Sequence, residues 1–311
     1  GDFAQAKQRR VEWMGRSHTL FAGARRTGLV QVEVVHQLVN EMIREIFDQQ
    51  AACFAVLRIR QPDPTLHEHG LTVCILSVIL GQALNYPREV MQQIGVGALL
   101  HDIGLAQLPR NIIKRSKSMP AAHQALYLTH PAEGVATLEK SGSTDPAVMA
   151  IVREHHELSN SIAASGSMPG ITSELAKLVG TVDQYDELVT GQMGLPPMSS
   201  HQALTQLYQR HRASPELLAI VSHLVRAIGV YPLYSVVKLK SGELGVVSGI
   251  TPGKAHLPLL YLCRDNEGRP CVPPVPLDLI SEAKDGKSIE RVCDAAQEGI
   301  DVEGVLRQVA A

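Results

Sequence analysis

Residues 94–104 read IGVGALLHDIG, an apolar run that ends on the adjacent pair His101 and Asp102. The run predicts a buried helix that carries an imidazole and a carboxylate at its inner end. A buried charge without a partner costs several kcal/mol of folding free energy, and a bound cation would remove that cost. The pair therefore indicates a metal site within a helical fold.

Two more segments place metal-binding side chains on apolar helical faces. Asp183 follows one apolar stripe at helical spacing and His155 follows another, so both are expected to point inward. His156 lies about 100° further round its helix and can reach the same cavity from the side. The stripes consist of Leu175, Leu178, Val179 and Val182 before Asp183, and of Val148, Ile151 and Val152 before His155.

Histidine is concentrated in the same part of the chain. A single histidine is most simply a solvated surface residue, but that interpretation weakens when several lie among apolar neighbours. Mixed imidazole and carboxylate ligands suit Fe, Mn, Zn or Ni, whereas all-oxygen sites suit Ca and Mg. Of the 13 histidines in the chain, the ones between residues 67 and 156 are His67, His69, His101, His123, His130, His155 and His156.

The imidazoles and carboxylates in this region are too many for one metal ion. Two ions about 3.5–4 Å apart, bridged by a carboxylate and a water, would use them and would suit phosphoester hydrolysis. In such a site the bridging hydroxide is the nucleophile, and the second ion holds a phosphoryl oxygen. We expect two transition-metal ions, with Fe as the first choice and Mn, Ni or Zn as alternatives.

The composition excludes several classes of protein. The 311 residues suggest about two domains at roughly 150 residues each, and an apolar content of 45% is sufficient for a buried core. The net charge of -2, without a long run of one sign, argues against a protein that binds duplex DNA through a dense cationic face. The 5 cysteines are scattered and never spaced as CxxC, which indicates reduced thiols and predicts a cytoplasmic protein.

Neither a membrane span nor a signal peptide is predicted. The most apolar stretch, residues 71–84, is shorter than the roughly 20 residues that a span needs. The chain opens on Gly1 and Asp2 without a Met, so we expect a fragment whose sensory or receiver domain lies upstream.

The first two thirds of the chain have a helical pattern. Apolar spacing predicts an amphipathic helix over about residues 30–57, within a helical N-terminal segment of residues 1–60. This helix is expected either to contribute to the core or to form a homodimer. Residues 61–230 predict an all-helical domain. Helix starts are marked by Asp63-Pro64, Asp145-Pro146 and Ser214-Pro215.

Residues 231–311 have a different pattern. Two short β-branched runs, at 236–239 and 246–250, flank a Ser-Gly turn and predict a β-hairpin. Further short runs at 257–262 and 271–279 extend it into a small antiparallel sheet, with a short helix near the C-terminus. The predicted fold class is therefore mainly α, with a small β-rich C-terminal subdomain.

The spacing of the metal-binding residues resembles that of the HD superfamily of metal-dependent phosphohydrolases. His69 precedes the pair His101 and Asp102, and Asp183 follows at a distance. Further matches narrow the resemblance to the HD-GYP family of cyclic di-GMP phosphodiesterases over roughly residues 65–230. They are His130-Pro131 with Gly134, the doublet His155-His156 with Glu157, and the pair Asp183 and Asp186.

The resemblance implies an all-helical HD-type bundle and metal ligation by seven side chains. Asp102 is implied as the carboxylate that bridges two metals, and His101 and Asp102 as the centre of catalysis. Asp186 and Glu157 are expected to hold ligand imidazoles in place, Glu157 alternatively being a solvated charge. The implied ligands are His69, His101, Asp102, His130, His155, His156 and Asp183.

Two features of the family pattern are missing from this chain. The family follows His-Asp-Ile-Gly with a Lys that is expected to contact the phosphate, and this chain has Leu105. The Asp-Gly-x-Gly-Tyr-Pro loop after the doublet reads NSIAAS at residues 160–165. Arg115 is the expected replacement for binding the phosphate, with Lys114 and Lys117 as weaker substitutes. Alternatively, all three are solvated loop charges.

Two functions follow from these residues. The first is a phosphodiesterase that hydrolyses cyclic di-GMP, or a related cyclic dinucleotide, in bacterial second-messenger signalling. The second is a cyclic-dinucleotide sensor that keeps the metals and has lost turnover, for which Leu105 and the altered loop argue. A nucleotide or alarmone phosphohydrolase of the wider HD group is a third alternative, but it leaves His130, His155 and His156 without a role.

Overall fold

A computed structural model describes residues 2–57, 65–109, 120–158, 173–191, 196–251, 254, 256–282 and 287–310. Helices predominate among these residues, and an antiparallel sheet lies in the C-terminal part. The predicted fold class, mainly α with a small β subdomain, is confirmed.

The helical part begins with two long helices and continues with shorter ones. In chain order these are α1 (Asp2–Thr27), α2 (Val32–Leu57), α3 (Leu66–Ala83), α4 (Arg88–Leu100), a 3-10 helix (Ile103–Gln107), α5 (Ala121–Tyr127), α6 (His130–Lys140), α7 (Pro146–Glu154), α8 (Glu174–Thr190), α9 (Ser200–His211) and α10 (Pro215–Ile228).

The helix α3 lies in the centre of the helical part. Every residue from His69 to Gly81 is buried, which is why this helix is apolar on all faces rather than amphipathic. It packs against α1, α2, α4 and α8. The side chain of His69 is thereby placed inside the helical core.

The helices begin where polar caps satisfy their first backbone N–H groups. The carboxylate of Asp145 accepts hydrogen bonds from the N–H groups of Ala147 and Val148, and Pro146 occupies the first turn of α7. The hydroxyl of Ser214 accepts from the N–H of Leu217 at the start of α10. These two predicted starts are confirmed, whereas Asp63-Pro64 lies outside the described residues.

The C-terminal part forms a five-stranded antiparallel sheet in the order β4-β3-β2-β1-β5. The predicted hairpin is confirmed: β1 pairs with β2, with Val236 opposite Val246, and Gly242 has a φ of 107° in the turn between them. The elements are β1 (Val236–Leu239), β2 (Leu244–Gly249), β3 (Leu259–Arg264), β4 (Pro270–Asp278), α11 (Leu279–Glu282), β5 (Ile289–Cys293) and α12 (Val302–Ala310).

The sheet carries a separate apolar cluster on each face. Val236 and Val246 belong to one cluster, which α12 covers with Val305. The alternate residues Val237 and Val247 belong to a second cluster on the other face. This alternation explains the β-branched pattern that predicted the strands.

The described residues form two compact units. The first contains Gly1–Met198 and Thr205–His223, and the second contains Ser199–Leu204 and Leu224–Ala311. Helices α1 and α2 thus share a unit with the helices that carry the predicted ligands. The predicted boundaries near residues 60 and 230 stay predictions. None of the described helices is long and apolar enough to cross a membrane.

Candidate metal centre

The predicted metal-binding side chains come from five helices of the first unit. His101 caps the C-terminal end of α4, and His155 caps α7 in the same way, so each imidazole leaves its helix where the regular backbone stops. All of these side chains except His156 are almost completely buried. The set consists of His69 in α3, His101 and Asp102 after α4, His130 at the start of α6, His155 and His156 after α7, and Asp183 in α8.

Three of the imidazoles are fixed by the same backbone contact. In each, Nδ1 donates a hydrogen bond to the carbonyl oxygen three residues earlier, which leaves Nε2 facing the cavity, where the neutral ring offers a lone pair. The distances are 2.7 Å from His101 to Ala98, 2.7 Å from His130 to Tyr127 and 3.0 Å from His155 to Val152. This contact sets both the tautomer and the ring direction that a metal ligand needs.

His69 is held between two carboxylates. Its Nδ1 lies 2.8 Å from Oδ2 of Asp186, and its Nε2 lies 2.9 Å from Oδ1 of Asp183. Asp186 is buried and follows Asp183 by three residues on α8, so both carboxylates face the same ring. The position of Asp186 is therefore the one expected of a residue that orients a ligand imidazole.

The two carboxylate oxygens of Asp102 face different imidazoles. Oδ1 lies 3.0 Å from Nε2 of His130 and 3.6 Å from Nε2 of His155. Oδ2 lies 3.6 Å from Nε2 of His101 and 3.9 Å from Nε2 of His69. Asp102 therefore stands between two sets of donors.

The donor atoms form two groups that could each hold a metal ion. Within each group, one donor atom per residue lies within 4.8 Å of all the others. Asp183 also approaches the other group, because its Oδ2 lies 4.0 Å from Nδ1 of His156. The first group is Asp102, His130, His155 and His156, and the second is His69, His101 and Asp183.

The first group fits a cation because its acceptors converge. Nε2 of His130 lies 3.3 Å from Nε2 of His155 and 3.0 Å from Oδ1 of Asp102. Since both rings already donate through Nδ1, their neutral forms point lone pairs at one another and at a carboxylate. Two ligands bound about 2.0–2.2 Å from one metal ion lie about 3.0–3.4 Å apart, so these separations match a shared cation.

The second group has buried polar atoms that the protein leaves unsatisfied. Within the described parts of the chain, Nε2 of His101 and Oδ2 of Asp183 make no hydrogen bond. Nε2 of His101 nevertheless lies 3.6 Å from Oδ1 of Asp183 and 3.6 Å from Oδ2 of Asp102. Unsatisfied buried polar atoms at this spacing fit a metal ion, which would take the place of a proton on the imidazole.

Asp102 and Asp183 carry the negative charge that binding of a metal cation requires. Burial raises the pKa of Asp102 and Asp183, but the surrounding imidazoles outweigh it and hold both pKa values well below the ordinary range. For Asp102 the strongest contributions come from His101 and His130, and for Asp183 from His101 and His69. Both side chains are therefore ionised at neutral pH.

The imidazoles divide into two classes. Burial lowers the pKa of His155, and burial together with His155 lowers that of His156 well below its usual value, so both are neutral. Burial also lowers the pKa of His69, but its hydrogen bonds to Asp183 and Asp186 outweigh this and raise that pKa well above its usual value. For His101, the carboxylates of Asp102 and Asp183 likewise outweigh burial and raise the pKa above its usual value. A metal ion bound at Nε2 of His69 would displace the proton.

Leu105, which replaces the family Lys, lies in an apolar environment. Its side chain is 2% exposed and packs with Leu108, Tyr127 and the partly buried Leu66. An ammonium group at this position would have to leave that cluster to reach a phosphate. Lys114, Arg115 and Lys117, the predicted phosphate-binding residues, and the altered loop 160–165 lie outside the described residues.

Two supporting residues were missed by the sequence analysis. The carboxylate of Glu154 accepts a hydrogen bond of 2.8 Å from the N–H of Ser173 and so ties the end of α7 to the start of α8. Gly180 lies against His155, because a Cβ at Gly180 would meet the carbonyl oxygen of His155 at 2.0 Å. A glycine inside a periodic helix was the available signal. Glu157 is half-buried after the doublet, and its supporting role stays a prediction.

A sequence model of the HD domain matches residues 59–214. This match covers half of the chain, and the chain therefore belongs to the HD domain family. Within that family it is a member of the HD-GYP group, as the spacing of its ligand-type residues predicted, although it lacks the Gly-Tyr-Pro loop.

Two relatives support this assignment. The cyclic di-GMP phosphodiesterase PA4108 of Pseudomonas aeruginosa is 25% identical over 234 residues, which are 74% of this chain and 55% of that protein. The chain thus spans little more than half the length of this relative. The solved structure of Bd1817, an HDG"Y"P protein from Bdellovibrio bacteriovorus, has 26% sequence identity and a TM-score of 0.60 over 72% of this chain and 71% of that chain.

Proposed function

We propose that the protein is a metal-dependent phosphodiesterase that hydrolyses cyclic di-GMP, or a related cyclic dinucleotide, at a binuclear centre in bacterial second-messenger signalling. The observation that carries the proposal is the position of Asp102, whose Oδ1 and Oδ2 face two separate groups of donors. A carboxylate so placed can bridge two ions. The name of the relative PA4108 supports the choice of substrate.

The chain's own residues would prepare the centre for this reaction. The bound metals would supply an activated water and Lewis-acid stabilisation of the phosphoryl oxygen. His101, His130 and His155 present fixed Nε2 atoms, and burial excludes bulk water from all of the ligands but His156. The side chain of His156 is 35% exposed, so we place the entry of the nucleotide on its side of the centre.

Iron is proposed as the resident metal, with manganese, nickel or zinc as alternatives, because mixed imidazole and carboxylate ligands suit all four.

A cytoplasmic location, an upstream sensory or receiver domain and a homodimer through the N-terminal helices stay predictions. Val11 on α1 and Phe47 on α2 are apolar side chains with exposures of 68% and 52%. Gel filtration combined with light scattering would test the dimer.

The proposal is tested by metal analysis and product formation on the same samples. Protein purified without oxygen should contain about two transition-metal ions per chain. It should convert cyclic di-GMP to a linear product that chromatography separates. Asp102→Asn, which keeps the shape and removes the charge, should lose both metal and product. His123→Gln, which changes a histidine on α5 outside both donor groups, should retain them.

Two results would contradict the proposal. One is wild-type protein that takes up neither iron nor manganese. The other is metal-loaded protein that hydrolyses none of cyclic di-GMP, linear pGpG and cyclic GMP-AMP. Full metal content in Asp102→Asn would contradict the bridging role of that residue.

A cyclic-dinucleotide sensor is the second candidate, and the burial of Leu105 favours it. An apolar side chain packed with Leu108 and Tyr127 cannot contact a phosphate as the family Lys is expected to do. Loss of one such donor costs about 2.7–4 kcal/mol of transition-state stabilisation, on the order of 10² to 10³ in rate. Calorimetric binding of cyclic di-GMP to the metal-loaded protein without product would support the sensor.

A further inference from the structure

The C-terminal end of α1 exchanges hydrogen bonds with the 3-10 helix that follows Asp102. Nη1 of Arg25 donates to the carbonyl oxygen of Ala106 at 3.4 Å, and Nη2 donates to that of Leu108 at 3.3 Å. In the opposite direction, Nε2 of Gln107 donates to the carbonyl oxygen of Ala24 at 3.0 Å. Two segments about 80 residues apart in sequence are thus joined reciprocally.

The carbonyl groups at the end of the 3-10 helix need hydrogen-bond donors from outside this short helix. Its last carbonyl groups accept no hydrogen bond from within the helix, and they carry the negative end of the helix dipole. A guanidinium group suits this end because its fixed fork of N–H donors can reach two carbonyl oxygens at once. The half-buried side chain of Arg25 meets both requirements.

The 3-10 helix in turn fixes the backbone of Asp102. The N–H of Leu105 donates to the carbonyl oxygen of Asp102 at 2.9 Å, so Asp102 is bonded into the first turn. The helix begins at Ile103, directly after the carboxylate that faces both donor groups. A shift of the Ile103–Gln107 segment would therefore move the carboxylate of Asp102 relative to the imidazoles.

Helix α1 also contacts the start of the helix that carries His69. The hydroxyl of the completely buried Ser17 donates to the carbonyl oxygen of His67 at 3.2 Å. His67 precedes His69 by two residues in the first turn of α3. Helix α1 therefore lies against both segments that bring His69 and Asp102 together.

We infer that Arg25 is a positioning residue for the metal centre and that α1 is a support of the site rather than a separate N-terminal segment. Arg25 lies outside both donor groups. It holds the 3-10 helix and, through it, the carboxylate of Asp102. This inference rests on the proposed two-metal site.

The experiment measures metal affinity directly. Full-length protein is stripped of metal and titrated with Mn²⁺ or Co²⁺ against a chelator of known affinity. Arg25→Ala should bind the metal about 10-fold more weakly, the lower end of the effect of removing a residue that supports a ligand. Arg26→Ala, which changes the exposed arginine next to it, should match the wild type. Arg25→Lys should fall between them, since one ammonium group cannot span both carbonyls.

A second readout separates positioning from general stability. With saturating metal and cyclic di-GMP as substrate, Arg25→Ala should lower kcat and leave KM unchanged. The reason is that Arg25 positions Asp102 and does not bind the nucleotide. If Arg25→Ala does not fold, Gln107→Ala and Arg25→Lys serve instead, each removing only part of the contact. Weaker metal binding in both would support the inference.

The outcomes distinguish this inference from the proposed function. Wild-type protein that binds no metal would overturn the two-metal proposal and the inference with it. Wild-type protein that binds metal, together with an Arg25→Ala variant of equal affinity, would overturn the inference alone. Equal weakening in Arg25→Ala and Arg26→Ala would also overturn it, since the effect would then be one of general charge.

Discussion

Gly104 lies directly against the backbone of His130: a Cβ at Gly104 would stand 1.9 Å from the carbonyl oxygen of His130 and 2.6 Å from the backbone nitrogen of Gly134. The 3-10 helix after Asp102 and the first turn of α6 approach this closely because no side chain intervenes. The approach sets Nε2 of His130 3.0 Å from Oδ1 of Asp102. A glycine two residues from one predicted ligand thus sets its distance to another predicted ligand.

Gly104→Ala should therefore abolish metal binding by the group of donors that contains His130. Because both close contacts are backbone atoms, the helices must separate rather than a side chain move. We expect loss of at least one metal ion per chain in metal analysis. Gly23→Ala is the matched control: a Cβ there meets nothing within 4 Å, and the change within α1 should be neutral or stabilise by up to about 1 kcal/mol. Unchanged metal content in Gly104→Ala would contradict the packing argument.

Asp186→Asn should weaken metal binding at the group that contains His69. The amide keeps the shape of the side chain but removes the charge that holds Nδ1 of His69 at 2.8 Å. Removal of such a supporting partner typically costs 10–100-fold in metal affinity. Chelator competition would measure the effect, with Glu187→Gln on the same helix as control. An affinity equal to that of the wild type would show that Asp186 does not orient the ring.

Leu105→Lys should test whether the centre can still turn over. If the rest of the geometry is competent, the new amine should raise the rate of hydrolysis by about 10² to 10³. The thermal midpoint should fall, because an ammonium group replaces a side chain that packs with Leu108 and Tyr127. Leu105→Met, which stays apolar, should cost less than about 1.5 kcal/mol and leave the rate unchanged. A folded Leu105→Lys variant without any gain would favour the sensor.

The thiols should differ in reactivity in the folded protein. Burial raises the pKa of Cys74 to about 12, and burial with the nearby Glu45 raises that of Cys53 to about 12, so neither forms thiolate near neutral pH. Cys271 on β4 is only partly buried and should react first with a maleimide, as peptide mapping would show. Cys271→Ser should remove the first phase of labelling. Rapid modification of Cys74 in native protein would contradict the packing of α3.

The sequence predicted the fold class because it depends on local pattern, and it predicted the donor set partly from apolar stripes and partly from the resemblance to the HD-GYP family. Apolar spacing and the Asp-Pro and Ser-Pro caps defined the helices, and the β-branched runs around Gly242 defined the hairpin. His101 and Asp102 were recognisable because a charged pair at the end of an apolar run requires a partner. Their roles as ligands stay predictions, which metal analysis will test.

Other features depended on contacts between distant segments. Helices α1 and α2 belong to the compact unit that contains the site, and Arg25 and Ser17 in α1 bond to carbonyl groups far along the chain. The sequence does not show which backbone lies against Gly104 or Gly180. The helical or strand periodicity of a sequence carries no information about such close backbone contacts.

The sequence by itself predicted His101, Asp102, His155 and Asp183 as inward-facing donors, because residue type and helical period indicate chemistry and direction, and the family resemblance added His69 and His130. Only the tertiary structure decided how the donors are shared: Oδ1 of Asp102 faces His130 and Oδ2 faces His101. That division is set by how closely the helices pack, which depends on backbone contacts between residues far apart in the chain. Distances of this kind, to a few tenths of an ångström, are decided by the whole core at once.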